Sequence, residues 1–225
     1  QENVEKLKRH GIGIIGPEQG DQACGEIGFG RLSEPVDICK HLMVALDKQA
    51  LSPSQSLQGL NVLISAGPTR EPLDPVRYLT NRSSGKMGYA LAQAALNAGA
   101  NVTLVSGPVS LVAPKNVHLI KVETAEQMHE AVISKALENA VYIGAAAVAD
   151  YSPVIIQAEK IKKQDDQSSL LLRKNKDILA DVAKLDKRPF TVGFAAETDH
   201  LEVYAQDKLV RKNIDMIAAN WVGRE

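Results

Sequence analysis

Apolar and polar positions alternate in blocks along most of this chain. From Leu60 onward, short apolar runs of strand type are separated by stretches with helical spacing. Val62-Leu63-Ile64, Val102 to Val105, Val117 to Val122, Val141 to Gly144, Phe190 to Phe194 and Met216 to Asn220 read as strands. Between them, Lys86 to Ala98 places Met87, Ala90, Leu91, Ala94 and Ala95 on one helical face, and Gly99 follows as a stop. Thr124 caps a helix running to about Asn139, with Glu126 in its first turn. Asp177 to Lys184 and Leu201 to Arg211 read as further helices, and Leu170-Leu171-Leu172 as a short strand. This alternation predicts an α/β fold: a Rossmann-like, doubly wound, mostly parallel sheet with helices on both faces.

A short irregular N-terminal segment precedes that pattern. Val4 to His10 is a basic helical piece, and Gly11 to Pro17 a short strand ended by Gly-Pro. Glu18 to Leu32 is Gly-rich, with little to bury, and reads as a mobile loop that orders around a ligand or partner. Ser33-Glu34-Pro35 restarts a helix, with Val36, Ile38, Leu42 and Leu46 as its apolar positions. A polar Ser- and Gln-rich linker follows. The expected units are 1–48, a linker at 49–59, and one α/β domain over 60–225.

Composition excludes several functions. The 225 residues are 44% hydrophobic and 24% charged, and the net charge is -1. No global field attracts nucleic acid or an anionic membrane, so anion binding must come from local clusters. No apolar run approaches the roughly 20 residues of a membrane span. Cys24 and Cys39 are too far apart for a CxxC motif, and a reducing cytoplasm is the expected setting. Gln1 is not an initiator methionine, so a fragment boundary or a processed end is expected there.

The richest chemistry follows the first strand of the α/β part. Ser65 to Gly88 is a long proline-punctuated loop that ends in Asn81-Arg82-Ser83-Ser84-Gly85-Lys86. In α/β sheets, ligands bind at the carboxyl ends of the strands, where helix N-termini offer N–H groups to anions. Ser83, Ser84 and Gly85 suit a phosphate there, and equally suit a plain helix cap. A connection of this length without regular structure is uncommon unless it is functional. Asn81 can polarise a carbonyl or cap a turn.

Other clusters carry two readings each. Gly144-Ala145-Ala146-Ala147 lets a backbone approach a flat ring, or merely packs a helix closely. Asp150 can accept from a ribose or base, or end a turn. Lys160 and Lys162 share one side of an extended run, which is also what a solvated edge looks like. Lys208 and Lys212 share a helix face, where two cations repel unless an anion sits between them; a solvated helix end is the plainer account. Cys24 lies in the Gly-rich loop as a candidate proton donor or nucleophile. The chain has no G-x-G-x-x-G after a strand and no P-loop.

Taken together, SAGPTREPLDPVRYLTNRSSGKMG, AAAVADY, EKIKK, VGFAAET and the Lys208/Lys212 helix occur in one order. In that order they resemble the bacterial bifunctional coenzyme A biosynthesis flavoproteins, which join a phosphopantothenoylcysteine decarboxylase to a phosphopantothenate–cysteine ligase. The ligase resemblance runs from about Leu60 to Asn220. Gln22 to Glu26 resembles the end of the decarboxylase part, with Glu26 where the family has Asp.

The resemblance implies an enzyme that activates 4′-phosphopantothenate with CTP and then joins it to cysteine. It implies roles for Asn81 at the acyl-cytidylate, for Lys160 in forming it, and for Cys24 as proton donor in the decarboxylase step. The nucleotide pocket would comprise Gly144, Ala145, Ala146, Asp150, Lys176, Asp177, Ile178, Leu179 and Phe194. Lys208 and Lys212 would lie on the triphosphate side, Ser83 at the phosphate-binding helix start, and Arg77 near the pantothenate phosphate. It further implies Mg²⁺ with the triphosphate, no assignable metal ligand, and a homodimer of ligase domains. FMN would serve only a decarboxylase part lying before Gln1, and a mobile loop and further strands would follow Asn220. A non-catalytic nucleotide-binding module is the competing reading, and a nicotinamide oxidoreductase a more distant one.

Overall fold

The computed structural model describes residues 5, 6, 9, 14, 15, 18–21, 27–31, 33, 34, 36–38, 40, 55–162, 169–197 and 199–221. The chain divides into two compact units, Gln1–Pro53 and Ser54–Glu225.

In the first unit, β1 (Glu18–Asp21) pairs antiparallel with β2 (Ile27–Arg31). Regular structure therefore stands at both ends of the stretch expected to be a mobile loop. The alternating Ile27-Gly28-Phe29-Gly30 run is short, but alternation of this kind suits a ribbon. Cys24 lies outside the described residues.

The second unit is built on six parallel strands. They are β3 (Asn61–Ala66), β6 (Asn101–Ser106), β7 (His118–Lys121), β8 (Val141–Gly144), β11 (Phe190–Glu197) and β12 (Met216–Trp221). Their spatial order is β12-β11-β8-β3-β6-β7. The chain starts in the middle, winds outward to β7, then crosses to β8 and winds outward the other way. This is the doubly wound arrangement, with its switch point between β3 and β8.

Side-chain alternation in β3 explains why both faces are covered. Leu63 points to a core shared with Val105, Tyr142 and the helices α2 (Ala125–Ala136) and α3 (Ile178–Ala183). Val62 and Ile64 point the other way, to Tyr89, Ala92 and Ala95 of α1 (Lys86–Asn97). Each such fully buried aliphatic side chain contributes about 1.5–3 kcal/mol relative to exposure. A fourth helix, α4 (Leu201–Lys212), reaches the first of these cores through Leu209.

Helix ends follow their capping chemistry. Thr124 and Gln127 form a capping box at α2. That helix stops at Ala136, three residues before the expected Asn139. At α1 the N-cap is Gly85, with φ 76° and no side-chain cap. Of the two readings of Ser83 and Ser84, the plain serine cap is therefore not formed: the Ser83 hydroxyl accepts from the Gly85 N–H at 3.3 Å. One turn later, Gly88 lies so near β3 that an added Cβ would run into the Cβ of Ala66.

Two antiparallel ribbons stand above the carboxyl edge of the sheet. One pairs β4 (Arg70–Pro72) with β5 (Tyr78–Thr80). The long loop after β3, expected to lack regular structure, therefore contains a hairpin. The other pairs β9 (Tyr151–Pro153) with β10 (Leu172–Lys174). The expected Leu170–Leu172 strand is shifted toward the lysine, because pairing to Tyr151 and Ser152 sets the register rather than the apolar run. Leu171 is left exposed.

Candidate functional site

The loops after β3 and β8 meet at the switch point. Pro68 and Ala147 form an isolated parallel bridge. The Ala147 N–H donates to Gly67 at 2.9 Å, and the Ala149 N–H donates to the buried Thr69 hydroxyl at 3.0 Å. Asn81 adds to this seam: its amide donates to the carbonyls of Ala147 (3.2 Å) and Val148 (3.0 Å). Both amide hydrogens are thereby engaged, which leaves Oδ1 as the group able to meet a ligand.

On the β8–β11 side of this seam lies a cavity of about 210 Å³. Gly144, Ala146, Asp150, Lys176, Asp177, Ile178, Leu179, Phe194, Lys208 and Lys212 all line it. Residues dispersed over nearly 70 positions of sequence are thus brought to one hollow. Ala145 faces a separate cleft with Arg82, Ser83 and Gly85 at the start of α1. Arg77, Asn81 and Lys160 line neither hollow.

The cavity is polar, and two of its lysines are held in ion pairs. Lys212 Nζ lies 2.9 and 2.8 Å from the two carboxylate oxygens of Asp177. Of the two lysines of α4, Lys212 therefore already has a protein carboxylate as its partner. Asp177 also caps α3 by accepting from the Ala180 N–H at 3.1 Å. Burial pushes its carboxyl up, but the Lys212 and Ala180 hydrogen bonds outweigh that and hold it below its ordinary value. Lys208 Nζ donates to the Phe194 carbonyl at 2.5 Å. The Lys176 ammonium pairs with Glu126 at 2.6 Å, and that hydrogen bond raises the lysine and lowers the glutamate.

Several cavity residues escaped sequence reasoning. Ser65 and Tyr142 line it and share a buried hydrogen bond of 3.1 Å. Burial pushes the Tyr142 hydroxyl up to about 12, so it stays protonated at neutral pH. Asn175 also lines the cavity and donates to the Ala149 carbonyl at 2.8 Å. These polar groups sit within or beside apolar runs, and nothing in the sequence separates them from ordinary core or turn residues.

Arg77 is committed within the protein. Its Nε and Nη2 lie 3.0 and 2.6 Å from Asp74 Oδ2, and Nη2 also donates to the Ile161 carbonyl at 2.9 Å. Lys160 is exposed on an irregular segment and forms no ion pair among the described residues. No group of three or more His, Cys, Asp or Glu among the described residues is placed to hold a metal ion. No helix among them is long and apolar enough to cross a membrane.

Residues 57–225 match the family described as the DNA/pantothenate metabolism flavoprotein C-terminal domain. The chain belongs to this family. Flavoprotein C-terminal domains of this kind occur in longer relatives. The chain is 53% identical over 221 residues to the coenzyme A biosynthesis bifunctional protein CoaBC of Haemophilus influenzae, covering 98% of this chain and 54% of that protein. The CoaBC protein of Escherichia coli is 51% identical over 228 residues, covering 100% of this chain and 55% of the relative. The chain thus spans about half the length of the curated relatives it matches.

Solved structures agree with the flavoprotein C-terminal domain assignment. A crystal structure of the C-terminal domain of a CoaBC protein superposes with a TM-score of 0.67 at 47% identity, over 74% of this chain and 80% of that one. A DNA/pantothenate metabolism flavoprotein from Streptococcus pneumoniae shares the fold, with a TM-score of 0.66 at 24% identity over 73% of this chain and 83% of that one. The doubly wound architecture expected from the strand pattern is thereby that of the family.

Proposed function

We propose that this chain carries the ligase activity of coenzyme A biosynthesis: CTP-dependent joining of cysteine to 4′-phosphopantothenate. The observation that carries the reading is the single cavity uniting Gly144, Asp150, Phe194, Lys208 and Lys212 at the carboxyl ends of β8 and β11. Its relatives are named for coenzyme A biosynthesis at 51–53% identity, and its motifs match the ligase part in order.

The chemistry follows from the difficulty of acylating an amine with a carboxylate, whose oxide is a poor leaving group. A carboxylate oxygen of phosphopantothenate attacks the α-phosphorus of CTP. The bond to the β-phosphate breaks, pyrophosphate leaves, and an acyl-cytidylate forms. The cysteine amine then attacks the acyl carbon, the carbon–oxygen bond to CMP breaks, and the nitrogen loses a proton. Both steps gather negative charge on oxygen and call for fixed donors and cations.

In this reading Gly144 and Ala146 let the base approach the backbone, Asp150 accepts from the ribose, and Lys208 and Lys212 face the triphosphate. Lys160 neutralises the reacting phosphates. With both amide hydrogens held by Ala147 and Val148, Asn81 presents Oδ1, which in this reading accepts from the cysteine amine and orients it for attack. Ser83, at the start of α1, serves the phosphate side together with Ala145. Magnesium is to enter on the triphosphate, since such an ion keeps waters and takes few protein ligands. No step is assigned to it. Pairing of two ligase domains, a decarboxylase part on the longer protein served by Cys24 and FMN, and a cytoplasmic setting complete the proposal.

The test is pyrophosphate release from CTP, with and without 4′-phosphopantothenate and cysteine. Release that requires phosphopantothenate supports carboxylate activation. No release from folded protein that binds CTP would replace the ligase by a nucleotide-binding module.

A further inference from the structure

Asp74 is a buried carboxylate whose side chain has no solvent exposure, although its neighbours Pro75, Val76 and Arg77 are exposed. It accepts five hydrogen bonds, and its two oxygens divide them. Oδ1 takes the N–H groups of Val76 and Arg77, both at 2.8 Å, and so closes a local turn. Oδ2 takes Arg77 Nε and Nη2 at 3.0 and 2.6 Å and, from 87 residues away, the N–H of Ile161 at 3.1 Å. Arg77 then closes the loop by donating to the Ile161 carbonyl at 2.9 Å. Both polar groups of residue 161 are thereby held by one ion pair.

The segment it holds has no helix or strand of its own between β9 and residue 162. A second tie joins the same two segments: the Gln157 N–H donates to the Leu73 carbonyl at 2.9 Å. Lys160 sits inside the short span pinned at Gln157 and Ile161. Its exposed side chain forms no ion pair among the described residues, so these backbone anchors are what fix its origin. A surface turn needs only Oδ1; the long-range half of the network serves the Lys160 segment.

We propose that Asp74 is a positioning residue that sets Lys160 through the peptide of Ile161. The inference rests on the ligase reading only for the effect on chemistry; the tether itself is independent of it. The Arg77 hydrogen bond, with those from the Ile161, Val76 and Arg77 N–H groups, outweighs burial and holds the Asp74 carboxyl well below the usual range. The tether therefore stays charged throughout neutral pH.

Asp74→Asn tests the idea, because the two oxygens separate. The Asn carbonyl can keep the turn, while its NH2 group would face the Ile161 N–H and Arg77 as donor against donor. In the whole chain, amide hydrogen exchange should show Ile161 losing protection while the strands of the sheet keep theirs. Pyrophosphate formation should fall roughly 10- to 100-fold, with the KM for CTP within about threefold. Lys160→Ala placed on top should cause little further loss, as expected for residues acting as one unit.

Retained Ile161 protection in Asp74→Asn would overturn the tether whatever the chemistry does. So would unaltered pyrophosphate formation despite lost protection, or full additivity with Lys160→Ala. An inactive wild-type chain whose Ile161 loses protection in Asp74→Asn would sink the ligase reading and leave the tether supported.

Discussion

Lys212 and Asp177 meet inside the cavity, with the ammonium 2.8 and 2.9 Å from the two carboxylate oxygens. One carboxylate thus serves both a lysine and the start of α3. The two duties separate by substitution. Asp177→Asn keeps an oxygen for the Ala180 N–H, loses only the charge of the pair with Lys212, and should cost less than the alanine variant. Asp177→Ala removes the cap and should cost about 1 kcal/mol in urea denaturation. Equal losses for both variants would show that the ion pair, not the cap, stabilises the helix.

Lys212→Ala should weaken CTP binding about tenfold, and the loss should shrink as salt is raised. Titration calorimetry at two ionic strengths measures this. Undiminished affinity would remove Lys212 from the triphosphate side.

Asn81→Asp is not a neutral isostere in this structure. It would turn a carboxylate toward the carbonyls of Ala147 and Val148, which now accept hydrogen bonds from the amide. We expect about 1 kcal/mol of destabilisation and faster exchange of the neighbouring Ala149 N–H, along with loss of amide formation. Unchanged exchange at Ala149 would show that the seam does not depend on Asn81.

Gly88→Ala should push α1 away from β3, because the new methyl group meets Ala66. Overpacking at such a site costs about 1–3 kcal/mol. A urea midpoint equal to that of the wild type would mean that the helix shifts without strain.

Stability should fall at both pH extremes, for different groups. The carboxyls of Asp74, Asp177 and Asp215 lie below their ordinary value of 3.8 in the folded chain. For Asp215 the main cause is the Arg188 hydrogen bond, aided by the Thr191 N–H at 2.7 Å. A depressed folded value stabilises above the unfolded one, so this contribution is full above about pH 4–5 and lost as pH falls through the folded values. Tyr142 works the other way. Burial raises it to about 12, so its contribution is full below about pH 10 and lost as pH rises through 12. Thermal melting across pH checks both limbs; Tyr142→Phe should flatten the alkaline one.

The central parallel strands were legible because they are buried on both faces and read as apolar runs, unbroken at Val62-Leu63-Ile64 and interrupted only by Thr103 in Val102 to Val105. Thr124 with Gln127 was readable as a cap because the chemistry is local. The β4–β5 hairpin was hidden: its strands are three residues each, and β4 is Arg-Glu-Pro, two charges and a proline. Nothing near Asp74 in sequence announces Ile161. Asp177 was readable as a cavity residue through the family motif, but its pairing with Lys212 joins residues 35 apart. Partnerships across the fold leave no periodic trace, and tertiary packing alone selects them.

The seam at the switch point has a mechanical consequence. Gly67, Thr69 and Asn81 belong to one loop, Ala147, Val148 and Ala149 to the other, and main-chain and side-chain bonds lock the two together. One loop runs on into the cleft at the start of α1, the other into the wall of the cavity between β8 and β11. The two hollows therefore share a hydrogen-bonded partition, so a substitution in the seam touches the walls of both.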